Sequence, residues 1–185
     1  MNIDAVLTLF RYYAKFVPKE ALEKIFVLTG SSGVPGYDET AAEMLNLPDD
    51  DVISDISSYI YSMNEKFVSD KIRNNEKIIL YVEYGAISYD PTRPKGTSQK
   101  LAVYVAFPLS MANNDNLKES LLMEKTLDIL ATILNKMETD QSDLDFCGNT
   151  KLIEFPAEIY PIESYAFYDH TGWMAMFDYE TTNMI

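Results

Sequence analysis

Residues 78–108 read IILYVEYGAISYDPTRPKGTSQKLAVYVAFP, and the pattern within them predicts the centre of a β-sheet. Apolar residues alternate with others in both halves, which is the two-residue period of strands that bury one face. They are Ile78, Leu80, Val82 and Tyr84 in the first half, and Leu101, Val103, Val105 and Phe107 in the second half. Residues 89–97 hold two prolines and a glycine, so we predict a long hairpin tip there, and Pro108 ends the second strand.

A long helix is predicted after this hairpin, over about Leu117 to Met137, followed by an acidic loop from Glu138 to Asp145. Two further strands are expected, one over residues 151–162 with two prolines that favour a sheet edge, and one over residues 173–179. Two hairpins bridged by one helix predict an α+β fold: an antiparallel or mixed β-sheet with helices packed on one face.

The N-terminal residues predict helices. Spacings of three and four between apolar positions indicate helices over 3–17, 19–28 and 38–47. Asp49, Asp50 and Asp51 then precede a fourth amphipathic pattern, whose apolar stripe is Ile53, Ile56, Ile60, Met63 and Phe67. We therefore divide the chain into a helical N-terminal extension, residues 1–48, and an α+β domain, residues 49–185.

Composition excludes several classes of protein. The apolar share of 47% suits a packed globule, no apolar run approaches the roughly 18 residues of a membrane span, and the first residues lack the order of a secretory signal. We expect a soluble protein that is made in a cytoplasm and has no membrane partner. One cysteine and one histidine exclude an internal disulfide and the usual zinc cages.

Motifs for catalysis or cofactor binding are weak. Residues 29–33, TGSSG, lack the lysine of a phosphate-binding loop and are read as a flexible loop. No nucleophile signature surrounds Cys147 or His170. We interpret Cys147 as a small packing residue and His170 as a solvent-facing or structural residue. The Asp49–Asp51 run is read as a helix cap. The spaced acids at 140, 143 and 145 lack the ligand order of a calcium loop and are read as a solvated surface. We expect no catalytic residue, cofactor or metal; an enzyme with a site built from carboxylates alone remains an open alternative.

Taken together, residues 50–185 resemble the tail-terminator and neck (head–tail joining) proteins of long-tailed bacteriophages. The resemblance rests on a helix, then a strand ending in YVEYGAISYD (81–90), a strand ending in LAVYVAFP (101–108), a long helix, and a last strand that opens with Gly172-Trp173 and closes with FDYE (177–180). It implies a structural virion protein. Identical subunits would form a ring, commonly sixfold or twelvefold, at the tail end or neck. The ring would contact other tail or neck proteins and leave a channel for DNA without sequence-specific contact.

The charge distribution suggests how such a ring could close. The net charge is −14, yet residues 71–110 hold six basic and three acidic groups, between blocks of net −8 (31–70) and −10 (111–185). We predict that Arg93, Lys95 and Lys100, with Tyr84 and Tyr89 beside them, form an interface on the hairpin. Its predicted acceptor on the next subunit is the acidic surface of residues 111–185, which includes the interface residues Asp140, Asp143 and Asp145.

A net charge of −14 also fits a second hypothesis for the function. An acidic protein-binding module, such as an immunity-like or DNA-mimic inhibitor, would occupy a basic partner and need not form a ring. The same charge disfavours long-range attraction to nucleic acid.

Overall fold

The computed structural model describes residues 5–27, 30, 32–89, 97–142 and 156–181. Five helices and five strands lie in this part of the chain. In chain order they are α1 (Ala5–Ala14), α2 (Lys19–Glu23), α3 (Tyr37–Leu45), β1 (Ser58–Tyr61), α4 (Glu65–Arg73), β2 (Ile79–Tyr89), β3 (Thr97–Pro108), α5 (Asn116–Ser142), β4 (Glu158–Ile162) and β5 (His170–Thr181). The hairpin tip at 90–96, Asp143, Asp145, Cys147 and the first residues of the predicted 151–162 strand lie outside the described residues.

The strands form one mixed sheet in the order β1-β2-β3-β5-β4, which confirms the α+β prediction. β1 is parallel to β2, and every other neighbouring pair is antiparallel. The two predicted hairpins are therefore β2–β3 and β4–β5. The short strand β4 lies at one edge, as its prolines suggest, because a proline cannot donate to the ladder of a central strand.

One face of the sheet carries most of the core. The alternating residues of β2, β3 and β5 meet α5 and the three N-terminal helices there, in a single buried cluster. The sheet contributes Tyr59, Leu80, Val82, Val103, Val105, Phe107 and Ala175; α5 contributes Leu130, Ile133 and Met137; the N-terminal segment contributes Leu9, Tyr13, Phe16, Val17, Leu22 and Met44. The core therefore crosses residue 48, and the predicted N-terminal extension packs as part of the same globule.

The other face has one helix, α4, which is the exception to the prediction of helices on one face. Val68 and Ile72 of α4 pack on Ile60 and Ile79 in a second, smaller buried cluster. The reason is topological: β1 and β2 are parallel, so the chain between them must cross over the sheet, and α4 is that crossover.

The prediction of one amphipathic helix beginning after Asp51 is wrong over residues 53–61. Ser58–Tyr61 forms β1 instead, in which Tyr59 faces the larger cluster and Ile60 the smaller one. The helix begins only at Glu65, where Asn64 Oδ1 accepts a hydrogen bond from the Phe67 amide at 3.0 Å. The isoleucine spacing fits a helix, but a two-sided buried strand gives the same short apolar pattern.

The predicted acidic loop after α5 is also wrong where the structure describes it. Residues 138–142 continue the helix, and Met137 is fully buried inside it. At its start Asp115 caps α5, because Asp115 Oδ1 accepts hydrogen bonds from the amides of Leu117 and Lys118 at 2.9 and 3.0 Å.

Candidate protein-interaction surfaces

The β2–β3 hairpin is continued by β5 into a three-stranded arm. Tyr89 pairs with Thr97, and Thr97 pairs in turn with Thr181, so β3 is hydrogen-bonded on both sides to its first residue. Leu101 and its register partner Phe177 are buried, and Lys100, the next residue toward the tip, is exposed. Pairing on both sides gives the arm the stiffness that an isolated hairpin lacks.

A β-bulge marks the base of the arm. Gly85 and Ala86 of β2 lie opposite the single residue Lys100 of β3. A Cβ atom on Gly85 would lie 3.0 Å from the Lys100 carbonyl oxygen and 3.2 Å from Lys100 Cβ, so the close approach requires glycine. Bulges increase the local twist, which turns the strand ends relative to the rest of the sheet.

The predicted hairpin interface residues fall in different environments. Lys100 is exposed on β3. Tyr84 is half-buried, and its ring stacks on Tyr61 with centroids 4.8 Å apart, so it belongs to the rim of the core. Tyr89 ends β2, and nothing is described of its side chain. Arg93 and Lys95 lie outside the described residues.

Asp140 is a buried anchor, which corrects its predicted place on an exposed acidic surface. Its side chain is only 6% exposed. One carboxylate oxygen accepts hydrogen bonds from Lys15 Nζ and from the Tyr12 hydroxyl, the latter at 2.8 Å, and the other accepts from Lys136 Nζ at 2.9 Å. Asp51 shares both lysines, at 3.2 and 3.5 Å. The group joins α1 to α5 and is neutralised within the chain.

Burial and hydrogen bonding act in opposite directions on Asp140. Burial by itself raises the pKa of its carboxyl group, but the hydrogen bonds from Lys15, Lys136 and Tyr12 outweigh burial and hold the pKa below its ordinary value. The remaining acids of the predicted acceptor, Asp143 and Asp145, lie outside the described residues. Asp140 is therefore unavailable as part of the predicted acceptor.

A cleft between the first half of α5 and Trp173 of β5 lies far from the arm. It has an open volume of about 510 Å³. Seven residues line it: Asn116, Glu119, Ser120, Met123, Glu124, Leu127 and Trp173. The Trp173 indole N–H donates a hydrogen bond to the Met123 carbonyl at 2.9 Å, so the ring is held by the helix. We call this site the Trp173 cleft.

Apolar side chains continue around the cleft. Ile159 of β4 pairs with Ala175, two residues from Trp173 on the same face of β5, and is 42% exposed. Leu117 and Leu121 in the first turns of α5 are 70% and 57% exposed. Sequence reasoning missed this site, although the apolar residues in the exposed first turns of α5 and the lone tryptophan were the available signals.

A third surface is the open part of the sheet face beside α4. Tyr104 stacks between Tyr81 and Phe167, with centroids 4.9 and 5.3 Å away, and its hydroxyl donates to Glu83 at 2.8 Å. Burial, then the Glu83 hydrogen bond, raise the pKa of Tyr104 well above its usual range, so it stays a neutral donor. Met176, on the same face, is 40% exposed, which leaves this surface partly apolar.

Three observations bear on chemistry and location. Within the described ranges, no group of three His, Cys, Asp or Glu side chains is placed to hold a metal ion. His170 is buried, with Nδ1 2.9 Å from the Tyr168 carbonyl oxygen. None of the helices in the described part of the chain is both long and apolar enough to cross a bilayer.

Comparison with models of known protein families, with curated proteins and with solved structures found no match to this chain.

Proposed function

We propose that this protein is a structural virion subunit that assembles head to tail into a ring. The ring would lie at the head–tail junction or at the tail end of a bacteriophage. There it would join the tail tube to the neck and leave a channel for DNA. The observation that carries the proposal is that the β2–β3 hairpin and the Trp173 cleft, two unlike surfaces, lie at opposite ends of one sheet.

Lys100 lies near one end of β3, and the Trp173 cleft lies near the other. β3 begins at the arm with Thr97, and Val105, eight residues on, pairs with Trp173 of the cleft. At about 3.3 Å per residue the two ends are roughly 26 Å apart. The seven residues 90–96 that join Tyr89 to Thr97 leave and return at the arm, so they are too short to reach the cleft of their own chain. A contact between these surfaces must therefore join two copies, and such unlike contacts generate rings or filaments.

The net charge of the chain supports the proposed channel for DNA. A chain of net charge −14 repels phosphate over long range, so DNA would pass through a channel of such subunits without adhering to its wall. Two of the described cations, Lys15 and Lys136, form ion pairs with acids of the same chain, Asp51 and Asp140.

Charge reversal on the hairpin tests the assembly. The variant Arg93→Glu/Lys95→Glu/Lys100→Glu is compared with wild type by mass photometry and native mass spectrometry, alone and with purified tail tubes. We expect the wild-type ring to be lost and only the monomer to remain. The matched control is Lys24→Glu/Lys66→Glu/Lys77→Glu, which makes the same charge change at three exposed lysines outside the hairpin, and it should retain the ring. Wild type that stays monomeric with and without tubes would contradict the proposal.

The acidic exterior favours one second candidate, a module that binds and blocks a basic partner protein. Exposed carboxylates follow the outer side of α5 at Glu124, Asp128 and Glu138, a linear array that a DNA-binding surface would accept. A monomer that competes with DNA for a basic protein, with a salt-dependent affinity, would favour this function over the ring.

A further inference from the structure

The geometry points to the Trp173 cleft as the seat, on each subunit, for the hairpin tip of a neighbouring copy of this chain. The inference rests on the proposed head-to-tail assembly and names its acceptor. It specifies an acceptor within the predicted acidic surface of residues 111–185, and this acceptor does not include Asp140, which is buried and already paired with Lys15 and Lys136.

The chemistry of the cleft matches the chemistry of the tip. Two carboxylates, Glu119 and Glu124, are among the seven lining residues, and no lysine or arginine is. The tip reads DPTRPKG over residues 90–96, with two cations, one acid and two prolines. An acidic rim therefore meets a net positive segment, and charge complementarity favours this occupant over the acidic remainder of the chain.

The floor of the cleft is suited to the same residues. Trp173 keeps its ring fixed through the hydrogen bond to Met123, and Met123 and Leu127 are also part of the apolar lining. A tryptophan face is the best aromatic surface for a guanidinium group, which stacks on it while it donates to nearby carboxylates. Proline adds an apolar ring with little conformational entropy to lose.

A ring also requires that each contact join two different surfaces, one from each of the neighbouring subunits. The tip belongs to the Thr97 end of β3 and the cleft to the Val105 end, so each subunit offers one of each. When the tip of each copy occupies the cleft of the next, both surfaces of every copy are used. The assembly then extends through one type of contact alone.

Charge exchange within one chain tests the inference. Variant A is Glu119→Lys/Glu124→Lys, variant B is Arg93→Glu/Lys95→Glu, and variant C combines all four substitutions. Mass photometry of the full-length chains should show loss of the oligomer in A and in B, and its return in C, where the two charges are exchanged. Asp128→Lys/Glu20→Lys, at two exposed acids outside the cleft, is the matched control and should assemble as wild type does.

Trp173 provides a second measurement because it is the one tryptophan of the sequence. Its emission should shift to shorter wavelength as wild-type chain is concentrated through the assembly transition, and circular dichroism confirms that each variant is folded. Assembly of A and B like wild type, an unshifted emission, or failure of C to assemble overturns the cleft as acceptor while the ring stands. Absence of any wild-type oligomer overturns both proposals.

Discussion

The Asp140 carboxylate is a charged group that is almost fully buried. It is 6% exposed and contacts two lysines and a tyrosine hydroxyl. Tyr12 lies in α1, Lys15 directly follows α1, and Lys136 lies four residues away in α5. A buried charge is tolerated only where its hydrogen-bonding capacity is used, which is the case here. The cluster fixes the direction of α1 against the C-terminal half of α5.

We predict that Asp140→Asn lowers the free energy of unfolding by roughly 2–3 kcal/mol at pH 7, because it leaves Lys15 and Lys136 beside a neutral group. The value is placed at the low end for such a pair since the Lys136 side chain is about a third exposed and partly screened. Urea unfolding followed by circular dichroism measures the difference. Asp128→Asn, at an exposed acid of the same helix, is the control and should change stability little.

The difference in free energy of unfolding between wild type and Asp140→Asn should depend on pH, and the pKa of Asp140 gives the direction. The pKa of Asp140 is lower in the folded chain than in the unfolded chain, where it is about 3.9. Its contribution is therefore complete above the unfolded value and is lost as the pH falls through the folded pKa. The gap between wild type and Asp140→Asn should be constant above about pH 5 and should narrow below about pH 4. A gap that widens in acid would contradict the assignment.

Among the helices and strands, residues 53–73 are the segment in which the local sequence pattern and the tertiary fold disagree. Isoleucines at positions 53, 56 and 60 have helical spacing, yet Ser58–Tyr61 pairs with β2 as an edge strand buried on both faces. β-branched and aromatic residues at 59–61 favour a strand, and pairing with β2 gives them partners that an isolated helix would not. The helix is thereby shortened to α4, with Asn64 at its start.

Asn64→Ala distinguishes the two structures by the sign of its effect. As the cap of α4, Asn64 satisfies the Phe67 amide, so its removal should lower the free energy of unfolding by about 1 kcal/mol. In the interior of one long helix the same change would be neutral or stabilising, because alanine is the better helix former. Urea unfolding measures the sign, with Asn135→Ala, at an exposed position inside α5, as the control.

For the whole molecule, the main consequence of the fold is that the core is shared across residue 48. Six large apolar residues of the N-terminal helices lie in the same cluster as β2, β3 and α5: Leu9, Tyr13, Phe16, Val17, Leu22 and Met44. Each contributes about 1.5–3 kcal/mol by burial. Their loss is comparable to the entire net stability of a domain, which is about 5–15 kcal/mol.

We therefore expect residues 49–185 alone to lack a fixed tertiary structure. The test is the dispersion of amide signals in a ¹H–¹⁵N spectrum, together with near-ultraviolet circular dichroism. Co-expression of residues 1–48 as a separate chain should restore both signals, because the core would then be complete. A well-dispersed spectrum from 49–185 by itself would show instead that the helical segment is dispensable for the fold.

The sequence by itself determined the elements whose period is long and unambiguous. Alternation over residues 78–84 and 101–107 predicted β2 and β3, a stripe over four turns predicted α5, and the same two-residue period predicted β5 with Ala175 and Phe177 facing the core. These patterns are local, because a residue's face follows from the backbone geometry of its own element. The mixed charge of residues 71–110 is likewise readable without a structure.

Contacts between segments that are distant in sequence became visible only in the folded structure. Tyr12 and Asp140 are 128 residues apart in sequence, and no local pattern reveals that a predicted surface acid is buried between two lysines. The Trp173 cleft depends on the space between α5 and β5, and β1 forms because β2 supplies its hydrogen-bonding partners. Each of these is set by packing between distant segments, whose free energies are comparable to local preferences and override them.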